Sequence, residues 1–502
     1  MGTPGLTMAG DTKPPDCDVA IVGCGPVGVV LAGLLAKRGL RVVAIDRDVD
    51  LFPLPRAAHF DHEIMRVFQE LGVADTIAPS TISNLGMDFL TADRRVLMSM
   101  RSSDRTPSGW HGSILFHQPG VERTLRAAAV GLGAEFRMGV AVERIDDDGE
   151  RVTAHLADGT QLTARYLVGC DGARSTVRKQ LGITMDDLQF EEPWLVLDVL
   201  LRDGVAPPSL LALQVCDPAR PHTLIPMPAP RFRFEFMLLP GETADDVDTP
   251  ERARELMSAW IAPDDVEVER SAVYTFHGLI ADQWRRGRVL IAGDAAHQTP
   301  PFLGQGMCAG IRDAVNLAWK LDRIVHRGAP DAILDTYQPE REPQVRAIIG
   351  AAVSFGRLIC TTDPAVAAER DAGMLAAQAN GAEPATEAPL PPISGGPLVL
   401  AGGGALSIQP TIDGMRLDEQ VGNRFAVIAR RRDLLSGPGV EWWAADGALL
   451  LSVDERPGLA PILDAVGTDT AVLRPDRHLF ATGAHVDLPP PETRALLGSS
   501  PG

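Results

Sequence analysis

The residues best suited to chemistry in this chain are glycines and acids at the ends of apolar runs. The first group is Gly23-Cys24-Gly25-Pro26-Val27-Gly28. Here Gly23 permits a tight turn, Gly25 lets a pyrophosphate approach the backbone, and Gly28 allows a helix to lie close to a strand. A helix starting at this turn presents free N–H groups and a partial positive charge to phosphates. Asp46 follows 23 residues after Gly23, beside Arg47, where a carboxylate can accept hydrogen bonds from ribose hydroxyls. That is dinucleotide chemistry, and alone it does not separate FAD from NAD.

A second group decides between them. The apolar run Val289-Leu290-Ile291 leads into Ala292-Gly293-Asp294, then Pro300-Pro301 and Gly304-Gln305-Gly306-Met307. An acid at that strand end suits a ribityl hydroxyl. The glycine turn and following helix suit the electron-rich edge of a reduced flavin. Between these groups lies Cys170-Asp171-Gly172-Ala173-Arg174-Ser175, with Arg178 one turn later. Its acid-glycine turn can receive a ribose or flavin chain, and Arg174 and Arg178 can meet phosphates.

These groups need strands and helices to hold them. Asp18 to Val22, a helical pattern through Arg38 and a run from Arg41 to Ile45 form a βαβ start. Strand patterns return at Tyr166–Gly169 and Val289–Ala292, and a long amphipathic helix is predicted from Gln305 to His326. Alternation in Arg231-Phe232-Arg233-Phe234-Glu235-Phe236 predicts a sheet inserted at about 190–275, within an FAD-binding domain spanning 16–378. Residues 379–404 read as an Ala/Pro/Gly-rich linker, 405–502 as a small α/β domain, and 1–15 as a disordered leader. The fold class is α/β with a Rossmann-like FAD-binding domain.

The formal net charge of -19 argues against a nucleic-acid binder and against anionic membranes. The six cysteines are scattered, with no CxxC and no zinc-ligand spacing, so no metal site is expected. Neither a signal peptide nor a membrane span is recognisable, which points to the cytoplasm.

The three motifs resemble the glycine fingerprint, DG motif and GD motif of the group A flavoprotein aromatic hydroxylases, the para-hydroxybenzoate hydroxylase type. Further segments resemble the 3-(3-hydroxyphenyl)propionate hydroxylase family. They include Pro55-Arg56-Ala57 with Asp61, Glu63 and Arg66, Gln118 with Glu122, Glu192-Pro193-Trp194, Asp313-Ala314-Val315-Asn316, and Leu473-Arg474-Pro475-Asp476-Arg477. The resemblance implies an extended FAD beneath a substrate-binding sheet, a thioredoxin-like C-terminal domain without redox cysteines, and commonly a homodimer. It implies that Arg56 and Gln118 contact the FAD phosphate and ribityl region and that Val142 offers backbone contacts to the adenine. Pro301, Gly304, Gln305, Gly306 and Met307 then border the flavin ring. Plainer readings are a surface charge for Arg56 and a helix cap for Gln118.

The resemblance also implies the reaction. NAD(P)H reduces FAD, oxygen forms a C4a-hydroperoxide, and its distal oxygen attacks an electron-rich ring of a small phenolic substrate. His59 and His62 are candidate bases, with a capping histidine as the plainer reading. Gln214, Leu224, Met227, Phe234 and Phe236 are candidates to line the substrate, though each also suits sheet core. Arg233 faces either the flavin, a substrate carboxylate or an ion-pair partner. Rival readings are a hydroxylase of a polycyclic polyketide phenol and a non-catalytic FAD-binding redox sensor. No second complete glycine fingerprint marks a nicotinamide site.

Overall fold

The computed structural model describes residues 14–51, 56–381, 385–386 and 390–498. Pro55 and all but the last two residues of the expected leader lie outside that set.

Apolar stretches ending at glycine build the first sheet. The fully buried strand Cys17–Val22 pairs parallel with Val42–Asp46 on one side and Gln161–Gly169 on the other. Val289–Ile291 extends the sheet beyond Gln161–Gly169, and Glu135–Met138 extends it beyond Val42–Asp46, both parallel. Parallel neighbours need crossovers. The helix Pro26–Lys37 supplies the first, burying Gly28 through Ala36. The long helix Gly306–Arg327 lies against it. Gly310 makes that approach close, because a Cβ there would stand 2.5 Å from the Val27 side chain.

Among the described residues the second sheet has nine strands. In order they are His297–Gln298, Val266–Ala281, Met185–Leu201, Arg231–Met237, His222–Pro226, Ala212–Val215, Gly86–Leu90, Val96–Arg101 and Ala385–Thr386. It is wider than the predicted insertion at 190–275, since Gly86–Leu90 pairs parallel with Ala212–Val215 and brings in its own hairpin partner. Those two strands are methionine-rich and lack clean alternation, so period-two reading passes over them.

In the tail, Ala426–Ala429 pairs parallel with Leu449–Ser452 and antiparallel with Thr470–Leu473, which pairs antiparallel with Leu479–Gly483. Phe425 meets Trp319 of the long helix with ring centroids 5.8 Å apart and Trp443 at 4.7 Å, so tail and first domain share a core. Part of the expected linker is packed into it. Ile393 and Leu398 are buried, and the Gly404 N–H donates to the Leu479 carbonyl at 2.7 Å. No single helix among the described residues is long and apolar enough to cross a membrane. All six cysteines are free thiols, and burial pushes every one above the ordinary thiol range.

Candidate active site

Three turns at the carboxyl ends of first-sheet strands open onto one cavity of about 1490 Å³. In the first, Gly23 has a φ of 100° and packs so tightly that a Cβ would lie 2.4 Å from the Cys170 carbonyl oxygen. A Cβ on Gly28 would lie 2.0 Å from the Gly23 carbonyl oxygen. Gly25 differs, facing the cavity with nothing within 4 Å of such a Cβ. Two of these glycines therefore serve packing and one serves access. Asp46 Oδ2 accepts the Cys24 N–H at 2.6 Å, and Arg47 lines the same wall. The uncapped N-terminus of helix Pro26–Lys37 opens here.

In the second turn, Asp171 caps the short helix Thr176–Gln180. It accepts from Ser175 Oγ at 2.5 Å and from the N–H groups of Thr176 at 2.6 Å and Val177 at 3.1 Å. Asp171, Gly172 and Arg174 line the cavity. Arg178, expected at the phosphates, turns inward instead. Its guanidinium donates to the carbonyls of Ala295 at 3.0 Å and Ala173 at 2.8 Å, tying the second turn to the third.

In the third turn, Asp294 lines the cavity while Gly293 stands behind it, its φ of 62° shaping the bend against Val27. Among the described residues no protein hydrogen bond reaches the Asp294 carboxylate. Burial between the cavity walls raises its pKa, opposed by the charges of His297 and Arg56. Arg56, Gln118 and Val142 line the cavity, as do Pro301, Gly304, Gln305, Gly306 and Met307. Gln118 is already committed. Its Oε1 accepts from the N–H groups of Arg56 at 2.8 Å and Ala57 at 2.5 Å, and its amide donates to Glu122.

His59 also has its ring nitrogens occupied. Nδ1–H donates to the Gly304 carbonyl at 3.1 Å and Nε2 accepts from Ser113 Oγ at 2.7 Å, a tautomer assigned from those partners. Burial holds His59 below its ordinary pKa. The expected base therefore has no lone pair left for substrate and instead fixes the Gly304 turn, where φ is 63°. His62 bonds Ser108 Oγ through Nδ1 at 3.0 Å. Buried Arg312 clamps the same segment to the long helix through Glu63 at 2.6 Å and Asp61, and also holds the helix's own cap residue Gln305 at 3.1 Å.

The second sheet roofs the cavity, with the opposite face to the one expected. Leu224, Phe234 and Phe236 pack on the far side with Ala253 and Met257 of helix Pro250–Met257. Met227 is buried and likewise absent from the cavity wall. Side chains alternate along a strand, so burying the phenylalanines under that helix turns Arg233 and Glu235 to the cavity. Gln214 lines it as expected, joined by Thr223, Arg270 and Tyr274, which the sequence reading missed. Arg233 is an ion-paired strand arginine, bonded to Asp198 at 2.7 and 3.1 Å and to the Arg56 carbonyl at 2.8 Å. Asp198 also accepts from Arg270 at 3.1 Å. An acid inside the apolar run Leu195-Val196-Leu197-Asp198-Val199 was the available signal for this network.

A family model described as an FAD binding domain matches residues 16–352. The chain belongs to the FAD-binding domain family. It is 38% identical to a probable NADH-specific resorcinol 4-hydroxylase of Rhodococcus jostii (strain RHA1), over 94% of each chain. It is 34% identical to a 3-(3-hydroxy-phenyl)propionate/3-hydroxycinnamic acid hydroxylase of Mycobacterium sp. (strain JLS), over 98% of this chain and 93% of that protein. The crystal structure of aklavinone-11 hydroxylase with FAD and aklavinone superposes with a TM-score of 0.79 at 25% identity, covering 97% of this chain and 99% of that one. The protein is thus an FAD-dependent aromatic hydroxylase. The cavity of this FAD-binding domain fits such a cofactor on its own terms, with an open approach at Gly25, a helix N-terminus beside it and an acid at Asp294 awaiting a hydroxyl donor.

Proposed function

We propose that the protein uses NADH or NADPH and O2 to hydroxylate a small phenolic ring. The observation that carries this reading is the opening of three nucleotide-suited turns and the polar face of the second sheet onto one cavity. The single-ring substrates in the relatives' names support it.

In this reading Gly25 and the start of helix Pro26–Lys37 hold the pyrophosphate, while Asp46 and Arg47 hold the adenosine ribose and Val142 borders the adenine. Arg56, Gln118, Arg174 and the Asp171-Gly172 turn flank the chain between. Asp294 takes a ribityl hydroxyl, and residues 301–307 border the ring. When bound, FAD supplies the electron transfer and oxygen activation that no side chain provides. The protein binds, orients and excludes water. The N-terminus of helix Gly306–Arg327 places positive potential at the ring edge. His59 positions Gly304, and Arg233 ties the roof to the segment at Arg56. The tail, read as thioredoxin-like without a CxxC, contributes wall, since Ser407 and His478 line the cavity.

The test is aerobic NADH and NADPH oxidation by the FAD-loaded protein with a panel of phenols. The expected result is phenol-stimulated oxidation and a product heavier by one oxygen atom; oxidation indifferent to every phenol overturns the proposal. A polycyclic phenol is the second reading. Aklavinone-11 hydroxylase, solved with FAD and aklavinone, shares the fold. A polycyclic member of the panel tests it directly.

A further inference from the structure

Among the described residues, four charged side chains gather at the roof of the cavity. Arg233 and Arg270 both bond Asp198, and Arg233 Nη1 stands 3.8 Å from Glu235 Oε1. Two cations thus face two anions, all four nearly inaccessible to solvent. Glu235 differs from Asp198 in one respect. Asp198 accepts hydrogen bonds from both arginines, whereas among the described residues none reaches Glu235. Its side chain is 8% exposed and lines the cavity. A buried carboxylate without donors costs free energy until a donor arrives.

Glu235 stands in a row across the sheet with Thr223 and Gln214 on neighbouring strands. Thr223 Oγ1 donates to Gln214 Oε1 at 2.6 Å, which leaves the Gln214 amide N–H groups to face a ligand. The row thus offers a strong acceptor and a donor to the same space. The other arginines at the cavity wall are engaged or lie elsewhere. Arg101 pairs with Asp88, Arg312 with Asp61 and Glu63, and Arg66 with Asp418, while Arg47 and Arg174 stand at the turns assigned to FAD. Arg56 meets the roof through its backbone carbonyl, and its charge acts on Glu122 and Asp294 instead.

We propose that Glu235 binds a hydroxyl of the substrate, and that the balanced charges around it select a neutral diphenol over a phenol bearing a carboxylate. This rests on the phenol-hydroxylase reading above and names the substrate class within it. A diphenol hydroxyl satisfies Glu235 and leaves the set neutral. A carboxylate would add a third anion against two cations, in a space where like charges are costly.

The experiment titrates the FAD-loaded protein with resorcinol and with 3-(3-hydroxyphenyl)propionate. Binding is followed by the flavin difference spectrum and calorimetry, and turnover by NADH oxidation, for wild type, Glu235→Gln and Glu235→Asp. The expected result is resorcinol binding at least about tenfold tighter than the propionate in wild type. Glu235→Gln should weaken resorcinol about 10- to 100-fold, with partial recovery in Glu235→Asp, the size expected for a hydrogen bond to a charged group. The same variant should gain affinity for the propionate. Propionate binding as tightly as resorcinol in wild type overturns the proposal while leaving the phenol-hydroxylase reading intact. Failure of both ligands to bind or to stimulate oxidation overturns both. The wild-type comparison decides even where a variant loses flavin.

Discussion

Replacing Gly25 by alanine would place a methyl group in the open cavity, because an ideal Cβ there meets nothing within 4 Å. The backbone tolerates it, with φ of -74° and ψ of -175°, an extended conformation open to any residue. Losing glycine at the helix N-cap costs about 0.5–1 kcal/mol, and reduced freedom of the unfolded chain returns about 0.4–1 kcal/mol. The apoprotein should therefore unfold within about 1 kcal/mol of wild type. FAD should suffer instead, since the methyl occupies the approach of the pyrophosphate. Overpacking of ~1–3 kcal/mol corresponds to roughly 5- to 150-fold weaker binding. Gly28→Ala is the contrasting variant. Its Cβ would sit 2.0 Å from a backbone oxygen, so the turn itself must move and the apoprotein should lose several kcal/mol, on the order of 3. Urea unfolding of the apoproteins and fluorescence titration with FAD separate the two effects. An unchanged FAD dissociation constant in Gly25→Ala would refute the reasoning, as would an apoprotein of Gly28→Ala as stable as wild type.

Asp294→Asn should leave the apoprotein's stability within about 1 kcal/mol and weaken FAD about tenfold or more, measured by the same titration, because its carboxylate has no donor to lose among the described residues. Asp198→Ala removes the shared partner of Arg233 and Arg270 and should destabilise the fold by about 3–5 kcal/mol in urea unfolding. Phe234→Leu should cost about 1 kcal/mol of stability with KM unchanged, whereas Ile225→Ala, on the cavity face, should raise KM for the phenol; equal KM effects would contradict the assigned faces. Burial holds His59 and His62 neutral, so the unfolded chain takes up protons that the fold refuses. Stability should be complete above pH 6.5, their ordinary pKa, and fall as pH drops below it, with a shallower fall in His59→Gln by unfolding measurements across that range.

Much of the cofactor cradle was legible because each turn announces itself locally. Glycine at Gly23, an acid at Asp46 and the Gly293-Asp294 pair need only their own strand to be read. What escaped depends on a partner element far along the chain. Arg178 looks like a phosphate ligand until the third turn arrives to accept its protons. His59 looks like a base until Gly304 and Ser113 close on it. The alternation from Arg231 to Phe236 revealed a strand and both its faces, but not which face lines the cavity. That is decided by helix Pro250–Met257 covering the phenylalanines. Charged side chains read as solvent-facing unless a second charged layer is known to oppose them, and Asp198 and Arg270 lie on other strands.

The buried thiols bear on how long this molecule lasts at work. Sulfur is attacked by oxidants chiefly as thiolate, so a thiol held above its ordinary range offers them little purchase. Four of the six cysteines are buried and two half-buried, and all six are pushed above the ordinary thiol range, so none is set up as a readily oxidised thiolate.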